Sequence, residues 1–518
     1  MTSLSTTTSV DKSKEEGHTG VYPSLGGGLP DVPEKDEDEG AKIAGYERQQ
    51  VSQEEMDAVG RKIDRRVLPL LAITYFSQFW DKNSLTYSSV MGLPIKGENY
   101  NLVSMSFYIG YVISEIPSSA LSNRLPMAKY LGVNVCLWAT FLMLHACSAV
   151  FGAFFAMRML LGIFESCVSP ILIAMISQWY PREQQARKVA VFYAMNGITN
   201  MFGGLVAWAV TFYKGDAIAH WRIFYVMQGG LALVVGVLLL LYLPDSIGTA
   251  KFLTEREKIV AYERVRDNGT GGRVKKLKRS HAIEAVTDLK TWLLLLLTAL
   301  FSIPSGGLGA FTSILNKGFG YTSRQTLLLS IPRGFIATCT TITVCWISDK
   351  YKQRILAIAV CIIPTILGAA LMVGFNGKSE GGSLAGSMMV EMYGSSLAIM
   401  FAWTASNTGG SSKKAVVNGM FITMFGVGNI VGTQIFRQEE APSYTGGKVA
   451  LLACFSAMLP VTLAMNLYTR RLNKQKQAKL DRLIAENGWT EEDVNRERDK
   501  AAFLDLTDRE NIFTRYYN

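Results

Sequence analysis

Several ionisable residues sit inside stretches of the chain that are otherwise apolar: Asp81, Lys82, Glu115, Arg158, Glu165 and Arg333, with Glu391 near the outer end of its run. A charge at the centre of a membrane helix costs at least about 2.5 kcal/mol, so each one asks for a partner or a task. Lys82 or Arg158 can hold a carboxylate, the arginine fork bidentately. Asp81 and Glu165 can each neutralise an adjacent base, and protonation of the acid frees that base for an anion. Binding of an anion and binding of protons are then linked, each favouring the other. The plainer alternative is that Arg158 and Glu165 merely pair two helices and that Asp81 only neutralises Lys82.

The elements that carry these residues follow from composition. The 518 residues are 49% apolar and 18% charged, well below the roughly 25% charged of soluble domains. A spanning helix needs about 20 mostly apolar residues. Twelve such runs are present, at 67–90, 101–122, 129–150, 152–178, 188–212, 222–243, 291–314, 323–347, 354–375, 385–406, 415–436 and 448–469. Barrels would show alternation instead of solid runs, so the expected fold is an all-α membrane protein with twelve transmembrane helices in two six-helix halves. The expected divisions are an N-terminal tail over 1–60, a six-helix bundle over 61–243, a central loop over 244–290, a second bundle over 291–470 and a C-terminal tail over 471–518. Lys and Arg gather in alternate loops, which places both termini in the cytoplasm. Residues 1–58 and the acidic run Asp31–Glu39 read as disordered, 471–500 as a charged surface helix interrupted at Gly488, and Arg273–Arg279 as a contact for anionic lipid.

At 1.5 Å per residue, Lys82 lies roughly 22 Å along the first span and Arg158 about 9 Å along the oppositely directed fourth, the same level in a core about 30 Å thick. Glu165 follows two turns deeper on the same face as Arg158. Lys, Arg and the two acids are therefore expected to point into one cavity. Tyr75, Asn196, Asn200, Trp403, Asn407 and Gln434 are candidate lining residues or interhelical hydrogen-bonding groups. The turn Ser122-Asn123-Arg124 after the second span is echoed by Ser348-Asp349-Lys350, with Arg354, after the eighth. That echo suggests repeated halves with a site between them, and it makes Glu115, Arg124, Asp349 and Arg354 candidate gate residues.

Ordered motifs then become recognisable. They are Asp81 to Gly92 (DKNSLTYSSVMG), Glu115-Ile116-Pro117-Ser118, Arg158 with Gly162, Glu165 and Pro170, and Trp179-Tyr180-Pro181-Arg182. Further on come Leu243-Pro244-Asp245-Ser246, Asn407 with Gly410 and Lys413, Gly428 to Gly432, Ala441-Pro442-Ser443-Tyr444 and the tail stretch Asp505 to Asn511. The series resembles the anion:cation symporter group of the major facilitator superfamily, and within it fungal allantoate permease-like proteins. The resemblance implies import of a small organic anion with protons. It places proton coupling and substrate binding on Asp81, Arg158 and Glu165, with Lys82 adjacent. Asn123 stands where the family's gate motif carries an acid, and Arg333 stands where a charge is unusual. Arg333 reads either as an anchor for a second acidic group or as the partner of Glu115 or Glu391.

The expected partners are a small organic anion, protons and the lipid bilayer, in a monomer of the plasma membrane. Export by proton antiport and a non-transporting nutrient sensor are the alternatives. Enzymatic chemistry is not expected, because no phosphate loop, nucleophile elbow or metal box is present. The net charge of +10 makes no nucleic-acid stripe. Seven cysteines in apolar segments and four scattered histidines give no metal site, and no cofactor is expected.

Overall fold

A computed structural model describes residues 51–122, 124–215, 217–266, 278–351, 353–503 and 506–517. The expectations for residues 1–50, for Asn123 and for most of Arg273–Arg279 fall outside these residues, as does the Asp349 side chain. The described residues form helices and no strand. In chain order the N-terminal half holds α1 (Gln53–Arg66), α2 (Leu68–Val90), α3 (Glu98–Ser122), α4 (Met127–Leu144), α5 (Phe151–Glu165), α6 (Val168–Trp179), α7 (Arg182–Val210) and α8 (His220–Tyr242). Two short helices follow, α9 (Glu255–Val265) and α10 (Arg279–Thr287). The second half holds α11 (Leu289–Gly318), α12 (Ser323–Leu328), α13 (Ser330–Tyr351), α14 (Arg354–Gly374), α15 (Glu380–Val390), α16 (Ser396–Asn407), α17 (Ser411–Gly432), α18 (Thr445–Asn487) and α19 (Glu491–Phe503).

Ten helical segments among the described residues are long and apolar enough to cross a membrane. The helices α2 and α3 have the length, at 23 and 25 residues, but carry more polar groups. Counting them is consistent with the twelve expected spans. Their polarity has a cause: α2 brings Gln78, Asp81, Lys82 and Asn83 into the protein interior, and α3 brings Glu115. Outward, large apolar side chains such as Val234, Leu241, Ile363, Leu463 and Leu467 are exposed, as a lipid-facing surface requires.

Several boundaries differ from the sequence reading. The helix α1 begins at Gln53, inside the stretch read as tail, because Ser52 and Glu55 form a reciprocal capping box that satisfies two otherwise orphaned N–H groups. The last span does not stop near residue 470. It continues to Asn487 and ends at Gly488, whose φ of 63° suits a residue without a side chain. The central stretch contains α9 and α10, with α9 held to α1 by Lys62–Glu257 at 2.7 Å and Arg256–Glu55 at 3.4 Å.

Within the first half α4 packs on α8, α3 on α5, and α2 on α7 and α8; within the second, α11 packs on α17 and α18, and α14 on α15 and α18. The halves meet through α7 with α13, α2 with α11, and α3 with α17. Two of these seams need glycine. A Cβ on Gly162 would lie 2.0 Å from the Phe107 carbonyl oxygen, and one on Gly334 would lie 2.3 Å from that of Gly197. Such contact lets backbones approach without intervening side chains.

Among the described residues, hydrogen bonds that join the halves lie from mid-height to the end of the bundle opposite the docked C-terminal segment. There the Tyr100 hydroxyl donates to the Ala310 carbonyl at 2.6 Å, and Asn101 donates to the Phe436 carbonyl at 3.0 Å. Gln434 donates to the Asn101 carbonyl, Arg324 to the Thr211 carbonyl, and the Ser313 amide to the Thr86 hydroxyl. The bundle is thus fastened shut at that end.

Candidate functional site

A central cavity of about 210 Å³ lies between the halves. Its charged lining is Lys82 from α2, Glu165 from α5, Arg333 from α13 and Glu391 from the short 3-10 turn Glu391–Ser395 between α15 and α16. Tyr75, Asn83, Asn196 and Asn200 add polar groups, and rings including Phe107, Tyr108, Phe301 and Phe425 supply most of the remaining wall.

Lys82 is held by aromatic rings. Its Nζ stands 5.6 Å from the Tyr108 ring centroid and 5.5 Å from that of Phe425, and among the described residues no carboxylate comes within 4 Å of it. The facing rings stabilise an ammonium without neutralising it. Glu165 is buried, and its Oε2 has no hydrogen-bond partner among the described residues. An unneutralised base and an unsatisfied acid therefore share one wall.

The expected column does not point as a whole into this cavity. Arg158 lies one layer behind, stacked on the Phe107 ring at 5.8 Å and donating from Nη1 to the Ser84 hydroxyl at 3.1 Å. It bounds, with Lys82, a small void beside Phe107 and Tyr108. Asp81 turns into the packing of α2 against α4 and α8, fully buried beside Trp138 and Gln228, and among the described residues neither carboxylate oxygen has a hydrogen bond of good geometry. The reason is helical phase: adjacent residues diverge by about 100°, so Asp81 and Lys82 cannot both face one cavity. No ion pair within 4 Å joins Arg158 to Glu165 or Asp81 to Lys82 among the described residues, although Glu165 lies within electrostatic reach of both bases.

Arg333 does line the cavity, and its partner is Glu391. Its Nη2 and Nε donate to Glu391 Oε2 at 2.6 and 3.2 Å. Asn200 donates to Glu391 Oε1 at 3.4 Å and accepts from Asn83 at 2.9 Å, so a polar chain crosses from α2 to α13. Glu391 was expected near the outer end of its span. The span instead begins at Glu380, which puts Glu391 about 16 Å in, at a break in the helix.

Three expected lining residues stand elsewhere, Gln434 among the bonds at the fastened end of the bundle. Trp403 is buried within the second half, because α16 turns Leu397 and Phe401 toward the cavity and Trp403 away from it. Asn407 lies at the end of the bundle that carries the termini, where its amide donates to the Tyr517 carbonyl and accepts from the Tyr517 N–H. Of the candidate gate residues, Glu115 is buried with Oε2 unpartnered, Arg124 is exposed, and Arg354 donates to the Ser406 hydroxyl at 3.4 Å. Asp245, which the sequence reading left without a role, accepts from the Ala128 and Lys129 amides at the start of α4. The motif Leu243-Pro244-Asp245-Ser246 was the available signal.

Beside Asn407 a second cluster forms where the C-terminal segment docks. Asp508 is paired with Lys290 and, at 2.8 Å, with Lys413, and the Tyr516 hydroxyl donates to it at 2.9 Å. Lys476 on α18 donates to the carbonyls of Asp508, Asn511 and Thr514. Burial raises the Asp508 carboxyl, but Lys290 and Lys413 outweigh it and hold the group well below the usual carboxylate range.

A two-half helical bundle around a charged central cavity is the architecture of a multi-pass membrane carrier. Residues 70–433 match the Major Facilitator Superfamily, and the chain belongs to that family. It is 33% identical to the allantoate permease of Saccharomyces cerevisiae over 92% of this chain and 90% of the relative. It is 30% identical to the thiamine pathway transporter of the same yeast over 88% of this chain and 85% of that one. Solved structures with the same fold include a bacterial homologue of the lysosomal transporter Spinster, with a TM-score of 0.59 at 15% identity, covering 80% of this chain and 97% of that one. The xylose transporter XylE of E. coli superposes with a TM-score of 0.59 at 13% identity, covering 77% of this chain and 96% of that one. The protein is an integral membrane transporter and not an enzyme.

Proposed function

We propose that the chain imports a small organic carboxylate together with protons across the fungal plasma membrane, by alternating access between its two halves. One observation carries this reading: on a single cavity wall and among the described residues, Lys82 is faced by aromatic rings with no carboxylate within 4 Å, and Glu165, within electrostatic reach of it, has an oxygen with no hydrogen-bond partner. An anion is the ligand that completes Lys82. A proton is the ligand that relieves Glu165 of a buried charge. Each removes an electrostatic obstacle to the other, which is the coupling that symport needs.

Arg158 holds its place behind Lys82 and sets the field in which both titrate. Asp81, oriented into the bundle, acts on the same field from within, as a proton-coupling group that the substrate does not touch. Tyr75 and Asn196 orient substrate. With both termini in the cytoplasm, the fastened end is the extracellular one, and the cavity belongs to a state closed to the outside. Glu115, Arg124, Asp349 and Arg354 act at the cytoplasmic end as the halves, 61–243 and 291–470, rock as a monomer. Allantoate, named for the yeast relative, leads the substrates to examine, followed by ureidosuccinate, nicotinate-type acids and other vitamins.

The test is uptake of labelled allantoate and of a panel of small carboxylates by cells expressing the chain. Uptake of at least one carboxylate should rise as external pH falls from 7 to 5, collapse with a protonophore, and be lost in Lys82→Gln. Export-directed movement, or uptake indifferent to pH and protonophore, refutes the reading.

A further inference from the structure

The Arg333–Glu391 pair has no task in carrying a singly charged substrate, yet both residues line the cavity. Glu391 engages Arg333 through two nitrogens and is held on its other oxygen by Asn200 of the opposite half. It stands where the helix is broken into a 3-10 turn, so its side chain projects from backbone that is not a regular span. Both members keep some contact with open space, at 13% and 16% side-chain exposure.

We infer that Glu391 is the cavity's resident anion, occupying Arg333 until a second acidic group on the substrate displaces it. The inference rests on the carboxylate reading above and extends it to doubly charged substrates. A displaced Glu391 loses the one cation within 4 Å of it among the described residues. The charged and titratable groups around it are few. Arg333 comes from α13, and the phenols of Tyr87 on α2 and Tyr393 on its own turn lie within electrostatic reach. From α7 the neutral amide of Asn200 reaches it; α14, packed behind, carries Arg354 at its first residue and the thiol of Cys361, and α15 carries Glu380 at its far end. The other base on the cavity lining among the described residues is Lys82, and the substrate's first carboxylate occupies it, so displacement takes up one proton, and the ion count balances. The arriving acid brings one negative charge to Arg333, and Glu391 gives one up by protonation. Displacement also removes the acceptor that Asn200 uses, breaking a link between the halves at mid-height. A dianion therefore binds with one proton more than a monoanion of the same shape.

Succinamate and 3-sulfopropionate test this, because they differ little in length and the sulfonate stays ionised throughout. Apparent Kd values are read from ligand-induced thermal stabilisation of the purified full chain between pH 7.5 and 5.5. Binding of 3-sulfopropionate should tighten about tenfold more per pH unit than binding of succinamate, which is one extra proton. In Glu391→Gln that extra slope should vanish, and the dianion should bind at least tenfold tighter at pH 7.5, because Arg333 is left free. Parallel slopes for the two compounds in the unaltered protein overturn the inference, whatever the variant does. Slopes unchanged by Glu391→Gln also overturn it. Failure of both compounds to bind at any pH overturns this inference alone when uptake of another carboxylate persists, and failure of the whole carboxylate panel overturns the reading on which it rests.

Discussion

Replacing Asp508 by asparagine should release the C-terminal segment from the bundle. The carboxylate of Asp508 faces the ammonium groups of Lys290 and Lys413, and all three side chains are at most 2% exposed. Among the described residues of this cluster, Asp288 is the other equally buried acid, 2.9 Å from Lys413 and 3.8 Å from Lys290, while Glu284 reaches Lys413 from the rim. The substitution leaves two buried positive charges facing one buried negative charge. Removing one partner of a buried pair costs about 3–5 kcal/mol, because the charge left behind has no water to turn to. The Tyr516 hydroxyl bond to the carboxylate weakens at the same time. At roughly 1.4 kcal/mol per decade, the undocked population should rise on the order of a hundredfold to several thousandfold. Arg509 and Arg515 lie in the docked segment, so trypsin cleavage there reads that population when closing is faster than cutting. A change of less than tenfold in the cleavage rate would refute the electrostatic reasoning. Adding Lys413→Met to Asp508→Asn should restore much of the protection, since it removes one of the stranded charges. Asp508 is held below its unfolded value, so its stabilisation is complete above about pH 4 and is lost only as pH falls through the lower folded value. Docking should accordingly be insensitive to pH between 5 and 8 as far as this group is concerned.

Two further outcomes follow from the packing. Gly162→Ala puts a methyl group 2.0 Å from the Phe107 carbonyl oxygen, which forces α3 and α5 apart. It should destabilise the protein by about 1–3 kcal/mol, seen as a lower unfolding temperature, and should weaken substrate binding by displacing Phe107 and Glu165. Tyr100→Phe removes the hydroxyl bond to Ala310 and should lower the cost of opening the fastened end by about 1 kcal/mol. A cysteine-reactive probe applied from that side should then label a single cysteine placed at Ser305 several-fold faster than in a Tyr100-containing control.

What the sequence revealed depended on how local the signal was. Solid apolar runs mark the spans because a bilayer leaves the backbone no other way to satisfy its hydrogen bonds. The charges inside them were equally visible, since each is an exception to its own surroundings. Helical phase is also readable, and the wide angle between neighbouring residues separates the adjacent Asp81 and Lys82, which depth along the helix alone puts together. Hydropathy alone starts the span of Glu391 at residue 385, whereas the helix begins at Glu380. Ser379, whose hydroxyl accepts from the Gly382 amide, marks the true start at Glu380. The capping box at Ser52 and Glu55 likewise announces α1 from sequence. The docking of Thr507 to Tyr517 is marked only by the motifs at Asp505 to Asn511 and at Asn407 and Lys413, which do not say what they touch. It joins residues 218 positions apart in Lys290 and Asp508, and only the folded chain brings them together.

The most direct test of the account is proton-driven accumulation of a transported carboxylate in vesicles that contain the purified chain, comparing the unaltered protein with Glu165→Gln. The unaltered protein should concentrate the labelled anion when the outside is made acid. The Glu165→Gln protein should still exchange labelled for unlabelled anion across the membrane but should lose accumulation. If accumulation persists in Glu165→Gln at the unaltered level, the acid on the cavity wall does not carry the proton, and the account is contradicted.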